Sequence, residues 1–274
     1  MEFSVLMSVY KNDKLEFLKT AIESVMHQSI KPTEIVIVVD GPVEAKMTQL
    51  LKTYEKEMTC FKVIFLEENL GLGNALEVGL SFCSYNLIAR MDADDICVED
   101  RFEKQVRAFQ EDEELSIIGG QIEEFIDTID AIIGIRKVPT ENEEIRKYIK
   151  SRCPFNHMTV MFRKEEVEKV GGYLEWHFNE DYYLWLRMYL ANCKFRNLED
   201  TLVYARVGEE MYQRRGGLHY FRSEAGIQKY MLSHKMIGIF QYVKNVFLRF
   251  ILQVLMPNKL REWVFRKFAR KGAK

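Results

Sequence analysis

Leu87-Ile88-Ala89-Arg90-Met91 runs straight into Asp92-Ala93-Asp94-Asp95. An apolar run of strand length that stops on three carboxylates decides the fold class, because the same grammar repeats upstream. Residues 3–9 are a short apolar run that predicts a buried strand, and Leu15, Leu18, Ile22, Val25 and Met26 follow at helical spacing. Residues 35–39 are a second, β-branched strand, ended by Asp40-Gly41-Pro42. Helix patterns over 45–54 and 72–82 flank a third strand at 61–66. Residues 101–109 read as helix and 116–120 as strand. Unbroken apolar strands alternating with helices predict an α/β domain whose mostly parallel sheet is covered by helices on both faces.

The second half is less regular. Residues 122–138 contain strand-like pieces, 143–150 a short helix, 157–162 a strand, and 181–190 a helix carrying Trp185 and Leu186. Residues 201–207 suit a late strand. No repeat, low-complexity tract or flexible linker precedes residue 208, which favours one continuous domain. From Leu218 onward the sequence is helical in character.

The 274 residues are 47% apolar and 12% aromatic, ample for a buried core, while 15 Gly and 5 Pro exclude collagen-like or Pro/Gly-rich disorder. The net charge of −2 hides an asymmetry. Residues 229–274 hold 11 Lys+Arg against the single acid Glu262, so that tail is +10 and the remainder −12. An acidic body argues against a nucleic-acid binder, and the basic, apolar tail points toward an anionic surface. Cys60, Cys83, Cys97, Cys153 and Cys193 are odd in number and widely spaced, so neither a zinc site nor a disulfide framework is expected, and a reducing compartment fits better. The N-terminus has no signal-peptide pattern. Residues 236–256 are interrupted by Lys244, Asn245 and Arg249 and make a poor bilayer span.

In an open parallel sheet, ligands sit beyond the carboxyl ends of the strands, where strand order reverses. Asp40 ends the second strand, and Asp92, Asp94 and Asp95 end the fourth. Carboxylate oxygens in an Asp92-x-Asp94 pattern suit Mg²⁺ or Mn²⁺, which commonly share their shell with substrate phosphates. The bland alternative is a solvated loop with Asp95 or Asp100 capping the next helix. Other ligand motifs are missing. Tyr10-Lys11-Asn12-Asp13 follows the first strand where a dinucleotide site wants a glycine-rich turn, and there is no P-loop.

Taken together, Ser4-Val5-Leu6-Met7-Ser8-Val9-Tyr10, the strand ending in Asp40, Asn69-Leu70-Gly71-Leu72-Gly73-Asn74 and Arg90-Met91-Asp92-Ala93-Asp94-Asp95 resemble the nucleotide-sugar half of a family 2 glycosyltransferase with a GT-A fold. Asn156-His157-Met158-Thr159, Gly171-Gly172-Tyr173 and Asn179-Glu180-Asp181-Tyr182-Tyr183-Leu184-Trp185-Leu186-Arg187 resemble that family's acceptor-side blocks, in order. The likeness spans roughly residues 3–216 and is greatest to bacterial exopolysaccharide, capsule and lipopolysaccharide transferases of the amylovoran-biosynthesis type. It implies a Rossmann-like GT-A domain over 1–216, with a nucleotide-sugar half at about 1–120 and an acceptor half at 121–216. Residues 217–274 are expected to form a basic, amphipathic helical tail.

The resemblance implies roles as well. Ser8 and Tyr10 would lie along the nucleotide, and Asp40 would accept a hydrogen bond from the base, in this family most often uracil. Asn69, Gly71 and Asn74 would line the nucleotide-sugar pocket. Asp92 would face the ribose or diphosphate and, with Asp94, hold the Mg²⁺ or Mn²⁺. Asp181, beside Glu180, would be the catalytic base of an inverting transfer. Lys11 stands where the commonest motif has Asn, and Ser8 where Pro is frequent, which leaves base and sugar identity open. Asn179, Glu180 and Asp181 also suit a helix N-cap. His157 and Glu180 suit an acceptor or diphosphate contact, and His157 also suits a hydrogen-bonded core position. Arg214 and Arg215 suit a clamp on the diphosphate, or a solvated basic turn.

In the tail, apolar residues recur at helical spacing from Met236 to Leu255 among Lys235, Lys244 and Arg249. Trp263, Phe265 and Phe268 follow among further bases. Such a segment suits the interface of an anionic membrane, a helix docked on the catalytic domain, or a dimer contact. The membrane option implies a lipid-linked saccharide acceptor and a cytoplasmic protein peripheral to the inner face of the cell membrane. Two rival functions are a sugar nucleotidyltransferase, which would want a basic glycine-rich loop after the first strand, and a catalytically inactive scaffold of a polysaccharide assembly complex.

Overall fold

A computed structural model describes residues 1–208 and 216–257. β1 (Phe3–Val9), β2 (Glu34–Val39), β3 (Phe61–Phe65) and β4 (Leu87–Asp92) are separated by α1 (Leu15–Met26), α2 (Ala45–Glu57) and α3 (Leu72–Phe82). β5 (Ile96–Cys97), α4 (Arg101–Glu111), β6 (Leu115–Phe125), β7 (Ile132–Arg136) and α5 (Asn142–Tyr148) follow. Then come β8 (Met161–Arg163), α6 (Lys164–Lys169), α7 (Glu180–Leu190) and β9 (Lys194–Arg206). Two helices, α8 (Leu218–Ser233) and α9 (Ile239–Phe250), and a π-helical turn at Ile251–Leu255 close the described chain.

One nine-stranded sheet runs β3-β2-β1-β4-β8-β6-β9-β5, with β7 paired to the far end of β6. The first four strands are mutually parallel, as their unbroken apolar runs predict. The second half is mixed: β8 runs antiparallel to both β4 and β6, whereas β9 runs parallel to β6.

Side chains alternate across the sheet. Phe3, Val5, Met7 and Val9 join Ile35, Ile37 and Val39 in one core with α1, α2 and α4. Leu6, Val36 and Val38 face the opposite core, built with α3, α7 and, from α8, Ile227 and Met231. Close approach of α3 to this second face depends on Gly79, where a Cβ would meet Leu6 Cδ1 at 2.4 Å and Val38 Cγ2 at 2.7 Å. All five cysteines are free.

The structure differs from the sequence expectations in three places. His157–Thr159 is a 3₁₀ turn rather than the start of a strand. β9 begins at Lys194, not near 201, and β5 and α6 were not foreseen. The irregular pairing of β6 with β9 around Gly119–Gln121 accounts for the second difference, since it breaks the alternation a pattern search needs.

Candidate active site

The chain leaves β3 on one flank of β1 and enters β4 on the other, so strand order reverses at β1. Ser8, half-buried, aligns with Asp92 across this seam, and Val9 aligns with Val39, the residue before Asp40. Strand ends carrying Ser8, Asp40 and Asp92 therefore lie side by side at one edge of the sheet. Beyond β1 the chain folds back at once: the Tyr10 N–H donates to Asp13 Oδ2 (2.9 Å) and the Asp13 N–H to the Tyr10 carbonyl (3.0 Å).

Asp92, Asp94 and Asp95 converge, with one carboxylate oxygen from each lying within 4.8 Å of the others. Asp95 is buried; its Oδ1 accepts the Arg206 N–H (2.7 Å), and its Oδ2 is buried with no hydrogen-bond partner. Burial and then Asp92 push the Asp94 carboxyl up to about 6, and burial and then Asp94 push Asp95 well above the carboxylate range. Three such groups crowd one another unless a cation joins them. Hard oxygen donors with one buried oxygen unmatched fit a divalent ion of the Mg²⁺ or Mn²⁺ type. Residue 206 closes this side, because β5 pairs with β9 and brings Arg206 Nε to the Asp94 carbonyl (3.2 Å).

Arg90 sits between the acidic groups. It is almost fully buried, pairs through Nη2 with Asp92 Oδ1 (2.5 Å), and leaves Nε and Nη1 without partners. Its charge acts on Asp92, Asp94 and Asp95 and also on Glu180 and Asp181, so one guanidinium influences both acidic clusters. It also helps hold His157 neutral: burial first, then Arg90, press the imidazole well below its ordinary value. His157 Nε2 and the Tyr173 hydroxyl are hydrogen-bonded at 3.0 Å beside Trp185. Behind the strand Arg101, wholly buried, donates to the Arg90 carbonyl (2.7 Å) and to Gln105 Oε1 (3.1 Å), fixing the end of β4.

Glu180 and Asp181 open α7. Asp181 Oδ1 accepts the Tyr182 N–H (2.6 Å), and its Oδ2 lies 3.5 Å from Cys153 Sγ, which donates to it. Burial raises the Asp181 carboxyl against the pull of these donors. Burial, reinforced by Asp181, raises Glu180 to about 8. Neither residue is an ordinary cap: Asn179 holds the N-cap position, and its side chain donates to Ser223 Oγ of α8 (3.0 Å) instead.

The 69–71 loop is built on Asp40, whose carboxylate is engaged by the protein. Oδ1 accepts the Leu70 N–H (2.7 Å), and Oδ2 accepts Asn69 Nδ2 (2.9 Å) and the Gly71 N–H (3.2 Å). Asn74 Nδ2 donates to the Leu70 carbonyl (2.8 Å). Asp40, Asn69, Gly71 and Asn74 are thus one brace that sets the loop at the start of α3. Gly41 is required beside it: its φ is +82°, and a Cβ would lie 2.6 Å from the Asn69 nitrogen. Arg214 and Arg215 lie outside the described residues. Arg90, Tyr173 and Cys153 stand in contacts at this site that the sequence did not yield. Of these only Arg90 left a signal, as a lone charge inside an apolar strand.

Residues 4–169 match the family described as Glycosyl transferase family 2. The chain is 36% identical to the amylovoran biosynthesis glycosyltransferase AmsE of Erwinia amylovora, over 98% of this chain and 100% of that one. It is 35% identical to a UDP-Gal:alpha-D-GlcNAc-diphosphoundecaprenol beta-1,3-galactosyltransferase of Escherichia coli, over 98% and 97%. Staphylococcus aureus TarS 1-349, solved in complex with UDP-GlcNAc, shares the fold with a TM-score of 0.68 at 19% identity, over 97% of this chain and 79% of that one. Strand-end carboxylates around a reversal in sheet order, the acidic opening of α7 and these likenesses agree, and the chain belongs to glycosyltransferase family 2.

Proposed function

We infer that the protein transfers a sugar, with inversion, from a nucleoside diphosphate to a hydroxyl of a lipid-linked saccharide during cell-surface polysaccharide synthesis. The observation that carries this reading is the buried guanidinium of Arg90, paired with Asp92 of a cation-type carboxylate cluster, its charge acting also on the Glu180–Asp181 pair that opens α7. The names of the Escherichia coli and Erwinia relatives support a UDP-sugar donor, a diphospholipid-carried acceptor and a polysaccharide product.

Asp94, with Asp92 and the buried Asp95, would hold Mg²⁺ or Mn²⁺. When bound, such an ion offsets negative charge on the departing diphosphate. Ser8 and Tyr10 would border the nucleotide from β1, and the Asp40-braced loop from the start of α3. Glu180, raised to about 8, holds its proton more strongly than an ordinary carboxyl and so favours ionisation of its neighbour Asp181. Asp181 takes the proton from the acceptor hydroxyl as that oxygen forms its bond to the anomeric carbon. The bond to the diphosphate breaks on the opposite face of the sugar. Burial strengthens Asp181 as a base. His157, held neutral against Tyr173, would contact the acceptor or the diphosphate without adding charge. An acceptor carried by lipid would place the enzyme at an anionic membrane surface on the cytoplasmic side.

The deciding experiment offers the full chain a panel of UDP- and GDP-sugars with Mn²⁺, Mg²⁺ or EDTA and measures nucleoside diphosphate release. Metal-dependent release from a narrow set of donors is expected. Asp181→Asn should bind nucleotide normally and lose about 10²–10⁴-fold in transfer. Metal-independent release, or wild-type transfer by Asp181→Asn, would overturn the reading.

A further inference from the structure

α9 is mounted on the domain with its polar side inward. Gln241, Asn245 and Arg249 recur every fourth residue, so they form one row on the helix. That row faces the protein. Asn245 Nδ2 donates to Gln228 Oε1 of α8 (2.8 Å) and to the Lys150 carbonyl (3.3 Å). Arg249 pairs with Glu224 Oε2 of α8 (2.5 Å) and donates through Nη2 to the Ser151 carbonyl (2.6 Å). The opposite arc is apolar and bare: Phe240 is 89% exposed, Phe247 61%, Val243 56% and Ile239 55%. A surface helix in water normally has these faces the other way round. Lys244 stands exposed among the apolar residues, and the sequence from residue 258 to 274 adds seven bases against one acid.

We propose that this arc is a lipid-docking face that seats the enzyme on an anionic bilayer from its acceptor side. Exposed aromatic and aliphatic side chains in a stretch of sequence rich in bases suit the headgroup–acyl boundary of such a bilayer. A protein partner would also cover apolar side chains, but the excess of bases over acids along the same stretch favours anionic lipid. The mounting explains the siting. Arg249 and Asn245 grip residues 151 and 150, two and three positions before Cys153, whose thiol donates to Asp181. α8 pins the other flank, where the Trp176 indole N–H donates to the Ser223 carbonyl (3.2 Å) and Asn179 donates to the Ser223 hydroxyl, just before Glu180. The helices that present the arc therefore also brace both approaches to the proposed base. The proposal rests on the transferase reading only for what the membrane carries.

Flotation of the full chain with phosphatidylglycerol/phosphatidylethanolamine vesicles and with phosphatidylcholine vesicles tests it. The wild type should float with the anionic vesicles and hardly with the neutral ones. Phe240→Asp/Phe247→Asp should weaken binding by about 100-fold, since each exposed Phe lost from the interface accounts for roughly a factor of ten. Its metal-dependent hydrolysis of nucleotide sugar in water should be unchanged, which reports an intact fold and separates this test from that of the reaction. Lys244→Glu should weaken binding at low salt and less at high salt. Wild-type protein that stays with the soluble fraction, or a double variant that floats like the wild type, overturns the proposal. A solution dimer that the double variant splits, without any vesicle binding by the wild type, makes a second copy the occupant and also overturns it.

Discussion

Glu180 should make the metal-free protein less stable as pH rises through the neutral range, and Glu180→Gln should remove that slope. In the unfolded chain this carboxyl titrates near its ordinary 4.5; in the fold burial, then Asp181, raises it to about 8. Between those values the folded state holds a proton that the unfolded state has released. The contribution is therefore complete below the unfolded value and is lost as pH climbs to about 8. At about 1.36 kcal/mol per pH unit the loss comes to roughly 3–5 kcal/mol. For a domain of this size that is roughly 10 °C in Tm. Glu180→Gln keeps the shape and cannot ionise. Its buried amide adds a cost, but one that does not vary with pH, so slope rather than intercept is diagnostic. Thermal unfolding in EDTA at pH 5, 6, 7 and 8, followed by near-UV circular dichroism, compares the two proteins. Asp94, Asp95 and Asp181 give the wild type further decline of the same sign, and the difference between the curves isolates Glu180. Parallel curves would refute the reasoning, because Glu180 would then not be a carboxyl whose proton the fold retains.

Two further substitutions probe the site and its support. Asp94→Asn should raise metal-free stability at pH 7–8, by relieving a crowded carboxyl, while abolishing both Mn²⁺ binding in calorimetry and the stabilisation Mn²⁺ gives the wild type. Gly79→Ala should lower stability by about 1–2 kcal/mol in urea unfolding. Overpacking against Leu6 and Val38 costs roughly 1–3 kcal/mol and better helix propensity returns up to about 1.

Legibility followed local physics. β1, α1 and α3 begin and end where the apolar spacing predicts, because each buries a regular stripe against one face of the sheet. The signal fades where buried polar residues take over. In β6, Gln121 is buried because its amide bonds the Val138 N–H (2.7 Å) and the Leu198 carbonyl (2.7 Å), partners far off in sequence. A strand that continues through such a residue looks finished at Gly120. The candidate site shows the same division. Strand-end position located Asp40, Asp92, Asp94 and Asp95, but the direction of a carboxylate is a tertiary property. Asp40 turns to the 69–71 loop, and nothing in the sequence near it says so. Arg90 is two residues from Asp92 and so on the same side of β4, a pairing open to sequence reasoning once the strand is assigned.

The way the sheet tolerates this site follows from two arginines that sit on either side of one strand end. A buried guanidinium is costly unless paired and hydrogen-bonded. Arg101 meets the requirement with neutral partners, the Arg90 carbonyl, Gln105 and the Cys97 thiol, and burial, helped by the Arg90 charge, lowers its affinity for the proton. Arg90 meets it only in part, through Asp92, and keeps two nitrogens unpartnered in a ring of acids. A core selected for stability alone would have an aliphatic residue at position 90, as at 88, 89 and 91, and would lose little. The arrangement makes sense as a support for a crevice that must hold several carboxylates close together without collapse. Arg101 locks the backbone of residue 90, and the Arg90 charge restrains the mutual repulsion of Asp92, Asp94 and Asp95 on one side and of Glu180 and Asp181 on the other. Departures from local rules that concentrate at one spot, each supported by a neighbour, mark a place shaped for chemistry.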